Sequence, residues 1–217
     1  IDNTVGINST SDSTGGYIYN NFFNNTVIDA NEDGSNSWYV DKRYGTNIIG
    51  GQYLGGNFWE TYWNNRTAND RDGDGLGDDY LDWDATKDSK IIGSVADSHP
   101  LTVLRCGDML IGDTEVSGYN MLQDCSSHGL IINYPQIELD CNYNTINGTG
   151  EYSGIDVNSQ YDVDIKQCVI YNFSVGINVT NSDSILLHQN RLYDNSWGVK
   201  TDANSNSGTI YNNCFNN

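Results

Sequence analysis

Glycine stands at 154, 176 and 198, each time followed by Ile or Val, and this 22-residue spacing limits what the chain can fold into more than any other feature. The runs behind each glycine keep register. Ile165-Lys166-Gln167-Cys168-Val169-Ile170 answers to Leu187-His188-Gln189-Asn190-Arg191-Leu192 and to Ile210-Tyr211-Asn212-Asn213-Cys214-Phe215. A fourth copy opens at Gly6-Ile7 and carries Ile18-Tyr19-Asn20-Asn21-Phe22-Phe23, with one residue inserted. Fixed periods near twenty residues point to a solenoid. Each unit holds short alternating apolar runs between Asn, Ser, Asp and Gly turns, with no helical spacing. The expectation is an all-β chain folded as a right-handed parallel β-helix with coils of about 22 residues.

Thirty asparagines, 23 glycines and two prolines (Pro100, Pro135) favour tight turns, since Asn and Gly tolerate positive φ. Asn190, Asn213 and Asn21 hold equivalent places and can form a side-chain amide ladder; the alternative is that they are turn residues only. A net charge of -19 argues against nucleic acid as a partner. It suits a salt-exposed, extracellular surface and cation binding. No apolar run approaches the roughly 20 residues that cross a bilayer, so no membrane span is expected. Without an initiator Met or signal peptide, the chain reads as a mature product or an excised segment. Glycosylation sequons stand at Asn8, Asn24, Asn65, Asn147, Asn172 and Asn178.

Five cysteines lie at 106, 125, 141, 168 and 214, without a CxxC pair. Cys106 and Cys125 bracket a cap-like segment and can pair, and Cys141 and Cys168 can meet on neighbouring coils. Cys214 is left over, in the column of Val169, Arg191 and Phe22. If that column faces out, the thiol can bond another molecule; otherwise it is a buried free thiol.

The second strong signal is Asp70-Arg71-Asp72-Gly73-Asp74-Gly75-Leu76-Gly77-Asp78-Asp79. Carboxylates at loop positions 1, 3, 5 and 9 with glycine at 6 match the first part of an EF-hand-type Ca2+ loop. Asp70, Asp72, Asp74 and Asp78 then converge on one centre, and Leu76 offers its carbonyl. Leu81 replaces the glutamate at position 12, so Asp79 or Asp82 must close the site. Ca2+ is the expected cofactor, in a structural role, because the loop is a connector. Three segments follow: 1–62 as closing coils and cap of a β-helix, 63–105 as calcium loop and connector, and 106–217 as the opening cap and coils of another.

Three stretches carry a family resemblance: Gly-Gly-Asn-Phe-Trp (55–59) followed by the aspartate loop (70–78), Leu-Asp-Cys-Asn (139–142) after Cys-Gly-Asp (106–108), and the Ile-Tyr-Asn-Asn-x-Phe-x-Asn coils. The chain resembles archaeal cell-surface proteins with right-handed parallel β-helix repeats, the NosD-like or CASH-type class. The resemblance covers nearly the whole length. It implies an exported surface protein in a fold that also hosts polysaccharide-cleaving enzymes, without fixing a function. The copper delivery attached to one branch finds little support in Met109, Met121 and three scattered histidines.

In such proteins the cysteine-bearing opening comes first and the calcium loop last; here the order is reversed. Thr209–Asn217 and Tyr17–Asn25 agree at seven of nine positions, so Asn217 can run on into Ile1 and begin another coil. An uncapped coil is an exposed sheet edge. A tandem parent protein, a head-to-tail homopolymer with the Asn217 end on the Ile1 end, or a permutant strapped by residues 84–105 would each cover it. The reading is a non-catalytic, Ca2+-stabilised structural module of an extracellular surface assembly (filament, sheath or surface layer). The competing reading is a carbohydrate-binding or polysaccharide-cleaving β-helix, with cell-surface polysaccharide as partner. A glycosidase needs two carboxyls roughly 5 to 9.5 Å apart; Asp156, Asp162, Asp164, Asp183 and Asp194 are candidates that also read as turn aspartates. Lys166 and Arg191 can contact a sugar acid or stand in solvent. Trp38, Trp59, Trp63 and Trp83 read as an end plug, the alternative being a sugar platform.

Overall fold

The computed structural model describes residues 3–60, 74–77, 81–82, 90–116 and 122–216, with backbone alone at Leu81, Asp82 and Glu115. It divides into two compact units, Ile1–Asp70 with Gly75–Thr102 and Val103–Asn217 with Arg71–Asp74. The first contains β1 (Val5–Ser9), β2 (Thr14–Tyr17), β3 (Phe22–Phe23), β4 (Ile28–Glu32), β5 (Ser35–Ser37), β6 (Arg43–Tyr44), β7 (Tyr53–Leu54), β8 (Phe58–Trp59), β9 (Leu81–Asp82), β10 (Ile91–Gly93) and β11 (Ala96–Asp97). Strand β4 lies between β1 and β10, parallel to both. Parallel pairing also joins β2 to β5 and β3 to β8. Successive turns of chain therefore lie one on another. The antiparallel β6–β7 hairpin leaves the repeat between β5 and β8.

The second unit contains β12 (Asp108–Leu110), β13 (Thr114–Glu115), β14 (Leu130–Ile132), β15 (Glu138–Asp140), β16 (Thr145–Asn147), β17 (Ser153–Asn158), β18 (Asp164–Lys166), β19 (Val169–Tyr171), β20 (Val175–Thr180), β21 (Leu186–His188), β22 (Arg191–Tyr193), β23 (Trp197–Thr201), β24 (Thr209–Tyr211) and β25 (Cys214–Asn216). The strands pair in parallel, every third one from β14 onward, giving the sheets β12-β14-β17-β20-β23, β13-β15-β18-β21-β24 and β16-β19-β22-β25. This is the parallel β-helix expected from the period.

Strand alternation places one residue type per column. Leu130, Ile155, Ile177 and Val199 stand in register in the first sheet, and Leu139, Ile165, Leu187 and Ile210 in the second. The inward members from Leu130 to Leu187 are buried. Each contributes about 1.5–3 kcal/mol on burial. The corner between the second and third sheets turns on a left-handed residue in each of the last three coils. Gln167, Gln189 and Asn212 have φ of 55°, 57° and 53°, and Asn20 in the first unit has 59°. One such residue redirects the chain so that the next strand joins a new sheet.

The glycine period has a different cause from the one composition suggests. Gly154, Gly176 and Gly198 are absent from the positive-φ glycines. Their missing side chains make room instead. A Cβ on Gly154 would meet Ile170 Cγ2 at 2.3 Å, and one on Gly176 would meet Leu192 Cδ2 and the Gly198 carbonyl oxygen, each at 2.5 Å. The glycines let the third sheet's apolar column pack against the backbone of the first.

In the first unit Phe23, Ala30, Trp38, Trp59, Ile91 and Val95 form the core. Phe23 stacks on Trp59 at 4.4 Å, and Trp38 tilts against Trp59 at 5.7 Å. Trp38 and Trp59 are thus core residues and offer no sugar platform. Trp63 and Trp83 lie outside the described residues.

Candidate functional site

The feature on which assembly would depend is the coil β23-β24-β25, each strand of which is the last of its sheet. Its apolar residues are in register with buried ones below. Ile210 continues the column of Leu187, and Phe215 that of Leu192. Leu187 and Leu192 are buried, whereas Ile210 and Phe215 are 48% and 50% exposed.

A polar ladder runs to the same coil. Asn190 is fully buried; its Nδ2 donates to the Ile165 carbonyl, and its Oδ1 accepts from the Cys168 N–H. Asn213 repeats this one coil on, donating to the Leu187 carbonyl and accepting from the Asn190 N–H. The amides do not stack on one another as expected. Each bonds the backbone of the preceding coil, which satisfies corner groups that burial would leave unpaired. Asn21 belongs to a ladder of its own unit, where Asn57 Oδ1 accepts from the Asn21 N–H and Asn57 Nδ2 donates to the Ile18 carbonyl. Sequence reasoning passed over Asn195, which does the same work between Phe173 and Ile170.

The cysteines pair as Cys106–Cys125 and Cys141–Cys168, with Cα atoms 5.4 and 4.7 Å apart. The second bridge joins adjacent coils and continues the Asn190–Asn213 column covalently. Cys214 is free and exposed, opposite Arg191 on β22. Two disulfides fit an extracellular or periplasmic location. No helix among the described residues is long and apolar enough to cross a membrane.

Of the expected calcium ligands, Asp70, Asp72, Asp78 and Asp79 lie outside the described residues, and Asp82 is described by its backbone in β9. Leu76 is buried and bridges to Leu101. Gly75, at loop position 6, has φ of 81°, a turn that glycine makes without strain. Among the sequons, Asn8 and Asn24 are exposed. Asn172 Nδ2 donates to the Gly148 carbonyl at 2.7 Å, Asn178 Nδ2 to Asp156 at 2.8 Å, and Asn147 Nδ2 to Asp124 at 3.4 Å. Asn65 lies outside the described residues.

Two of the lateral carboxylates accept hydrogen bonds from neighbouring coils. Asp156 accepts from Asn178, Asp183 from the Asn206 N–H, and Asp164 lies 3.1 Å from His188 Nε2. Asp162 and Asp194 occupy left-handed corners. Lys166 bonds Glu138 at 2.6 Å and approaches Asp140 at 3.4 Å, while Arg191 lies over the Tyr143 ring.

Sequence reasoning also missed the role of Asp97, which is buried in the first unit. Its carboxylate accepts from the N–H groups of Asn57 and His99 and from Trp59 Nε1. Burial pushes its pKa up to about 7, against those donors, which favour the charged form. A Cβ on Gly56 would collide with this carboxylate. Asp97 therefore clasps the Gly-Gly-Asn-Phe-Trp motif, and the signal for it was a lone Asp beside His99-Pro100.

A family model described as "Periplasmic copper-binding protein (NosD)" matches residues 1–63 and 79–217. No curated protein and no solved structure matches the chain. Copper favours gathered Cys, Met and His donors. Here His99 packs on Tyr39, His128 on Tyr152, and His188 on Tyr211. Four cysteines are in disulfides, Met109 is exposed on β12, and Met121 lies outside the described residues. Among the described residues no three His, Cys, Asp or Glu side chains gather where they could hold a metal ion, so these donors do not fit a copper centre. On the extent of that match, and with a parallel β-helix whose coils follow the repeat, the chain belongs to the NosD family.

Proposed function

We propose that this chain is a non-catalytic structural module of an extracellular cell-surface assembly, in which coils stack end to end. The observation that supports the reading is that β24 and β25 keep the register of the buried stack, so a further coil, of this chain or of another copy, can continue the same columns. A further parallel coil would cover both strands and extend three sheets at once. The coil opened by Gly6-Ile7 suits that place, because Tyr17–Asn25 repeats Thr209–Asn217 at seven of nine positions. Asn21 then stands where the next rung after Asn213 belongs. Contacts of this head-to-tail kind propagate into filaments.

Ca2+ is part of the proposal. Asp70, Asp72, Asp74, Asp78, the Leu76 carbonyl, and Asp79 or Asp82 would hold it. The ion would offset the mutual repulsion of these carboxylates and order the connector. The non-catalytic reading is supported by Asp156 and Asp183, whose carboxylates accept hydrogen bonds from neighbouring coils.

Negative-stain electron microscopy with Ca2+ and after chelation tests this. Fibres with a regular axial repeat are expected, and their loss on chelation would make the loop an assembly element. Discrete 24.1 kDa particles under both conditions would sink the proposal.

A further inference from the structure

The β6–β7 hairpin is foreign to the repeat, and insertions in solenoids often form a binding face. Hydrogen bonds tie its turn together. Asn47 is buried; its Nδ2 donates to the Tyr53 carbonyl, and its Oδ1 accepts from the N–H groups of Ile49 and Gly51. The Ile48 N–H donates to Asn20 Oδ1. Tyr44 packs on Tyr53 with ring centres 4.8 Å apart. Before the hairpin and along its first strand, Tyr17, Tyr19, Tyr39, Asp41, Lys42 and Arg43 help line an open groove of about 820 Å3. Ligand sites commonly fall between about 300 and 1,000 Å3.

The groove's chemistry is unlike that of the rest of the chain. Lys42 and Arg43 place two of only ten cationic side chains side by side in a chain of net charge -19. Arg43 Nη2 donates to the Tyr19 hydroxyl at 2.8 Å, and its guanidinium lies over the Tyr19 ring at 5.4 Å. Lys42 Nζ lies 4.5 Å above the Tyr53 ring. Tyr17 is 69% exposed and lends its face to the groove. Its neighbour Ser37 supplies a hydroxyl, and Asp41 a carboxylate.

We propose that this groove binds an anionic oligosaccharide, a run of sugars bearing carboxylate or sulfate groups. Tyrosine faces suit the apolar faces of sugar rings, and two fixed cations suit scattered acidic groups. Asp41 and Ser37 accept from sugar hydroxyls. Single-stranded nucleic acid, the other polyanion, offers few hydroxyls from which Asp41 and Ser37 could accept. Tyr17 and Tyr19 belong to the coil opened by Gly6-Ile7, which end-to-end stacking would also engage, so binding is measured on unassembled chain.

Isothermal titration of the full chain tests this with hexamers of galacturonate, heparin, cellohexaose and oligothymidylate. At least one anionic sugar is expected to bind about tenfold more tightly than cellohexaose, and to weaken with salt. Galacturonate against heparin identifies the acidic group. Tyr17→Ala and Arg43→Gln should each cost about fivefold or more, with unchanged circular dichroism; Lys42→Gln, at an exposed position, serves if Arg43→Gln misfolds. Any of the following overturns the proposal: no binding of either anionic sugar at millimolar concentration, equal binding of cellohexaose, tighter binding of oligothymidylate, or anionic-sugar binding that the variants leave intact.

Discussion

Glycine 176 shows how tightly a coil is specified by one side chain's absence. A Cβ there meets the Gly198 carbonyl oxygen and Leu192 Cδ2 at 2.5 Å each. The carbonyl belongs to the next coil's backbone, so relief requires the coils to part locally and weakens the adjacent parallel pairing. Gly176→Ala should therefore destabilise by about 1–3 kcal/mol, the usual cost of overpacking. A thermal melt reads this directly, and an unchanged midpoint would refute the packing account. The position of these glycines was legible in the sequence and their reason was not. Composition pointed to positive φ, but in the described coils that conformation falls repeatedly to Gln, Ser, Asp and Asn, as at Gln167, Ser184, Asp194 and Asn212. A single sequence shows where a residue recurs; only the third sheet's neighbouring column shows what it must leave room for.

Among the elements, the corner ladders matter more than any strand. The second and third sheets of a coil use strands of two or three described residues in the regular part, as at β18 and β19. Such strands contribute few hydrogen bonds of their own. Asn190 adds two bonds per corner in full burial, to Ile165 and Cys168. Removing it orphans a carbonyl and an N–H together. Asn190→Ala should cost about 2–6 kcal/mol, taking about 1–3 kcal/mol for each group. Asn213→Ala should cost less, because Asn213 itself is half-buried and water can take its place once the side chain is removed. Chemical denaturation of both variants decides it: equal losses would mean that the ladder acts through turn propensity, the alternative that the sequence left open. The repeat exposed this column through its flanking apolar residues, although the bonding direction was hidden. The β6–β7 hairpin was missed for a related reason. Ile48 to Trp59 reads as a glycine- and aromatic-rich run, and nothing local in it reveals that Asn47 ties Tyr53 back across the turn.

For the whole molecule, the two units are secured by different means. From Val103 onward the chain has both disulfides, with loops of 19 and 27 residues, whereas the unit ending at Thr102 has none and relies on the Phe23–Trp38–Trp59 core and the Asp97 clasp. Both pairings were foreseeable, Cys141–Cys168 because the repeat sets neighbouring coils side by side and Cys106–Cys125 because the two bracket a cap-like segment. The clasp was not foreseeable, because Asp97 and Trp59 are 38 residues apart and outside the repeat. Cross-links of this length stabilise by about 3 kcal/mol each in the chain-entropy view. Reduction should therefore lower the stability of the second unit selectively. Hydrogen exchange followed by mass spectrometry, with and without reductant, provides the measurement. Peptides covering Glu138–Asp140 and Asp164–Lys166 should lose protection, while those covering Ile28–Glu32 and Phe58–Trp59 keep theirs. If both groups lost protection together on reduction, the two units would be one cooperative body, and the independence drawn from their separate cores would fall.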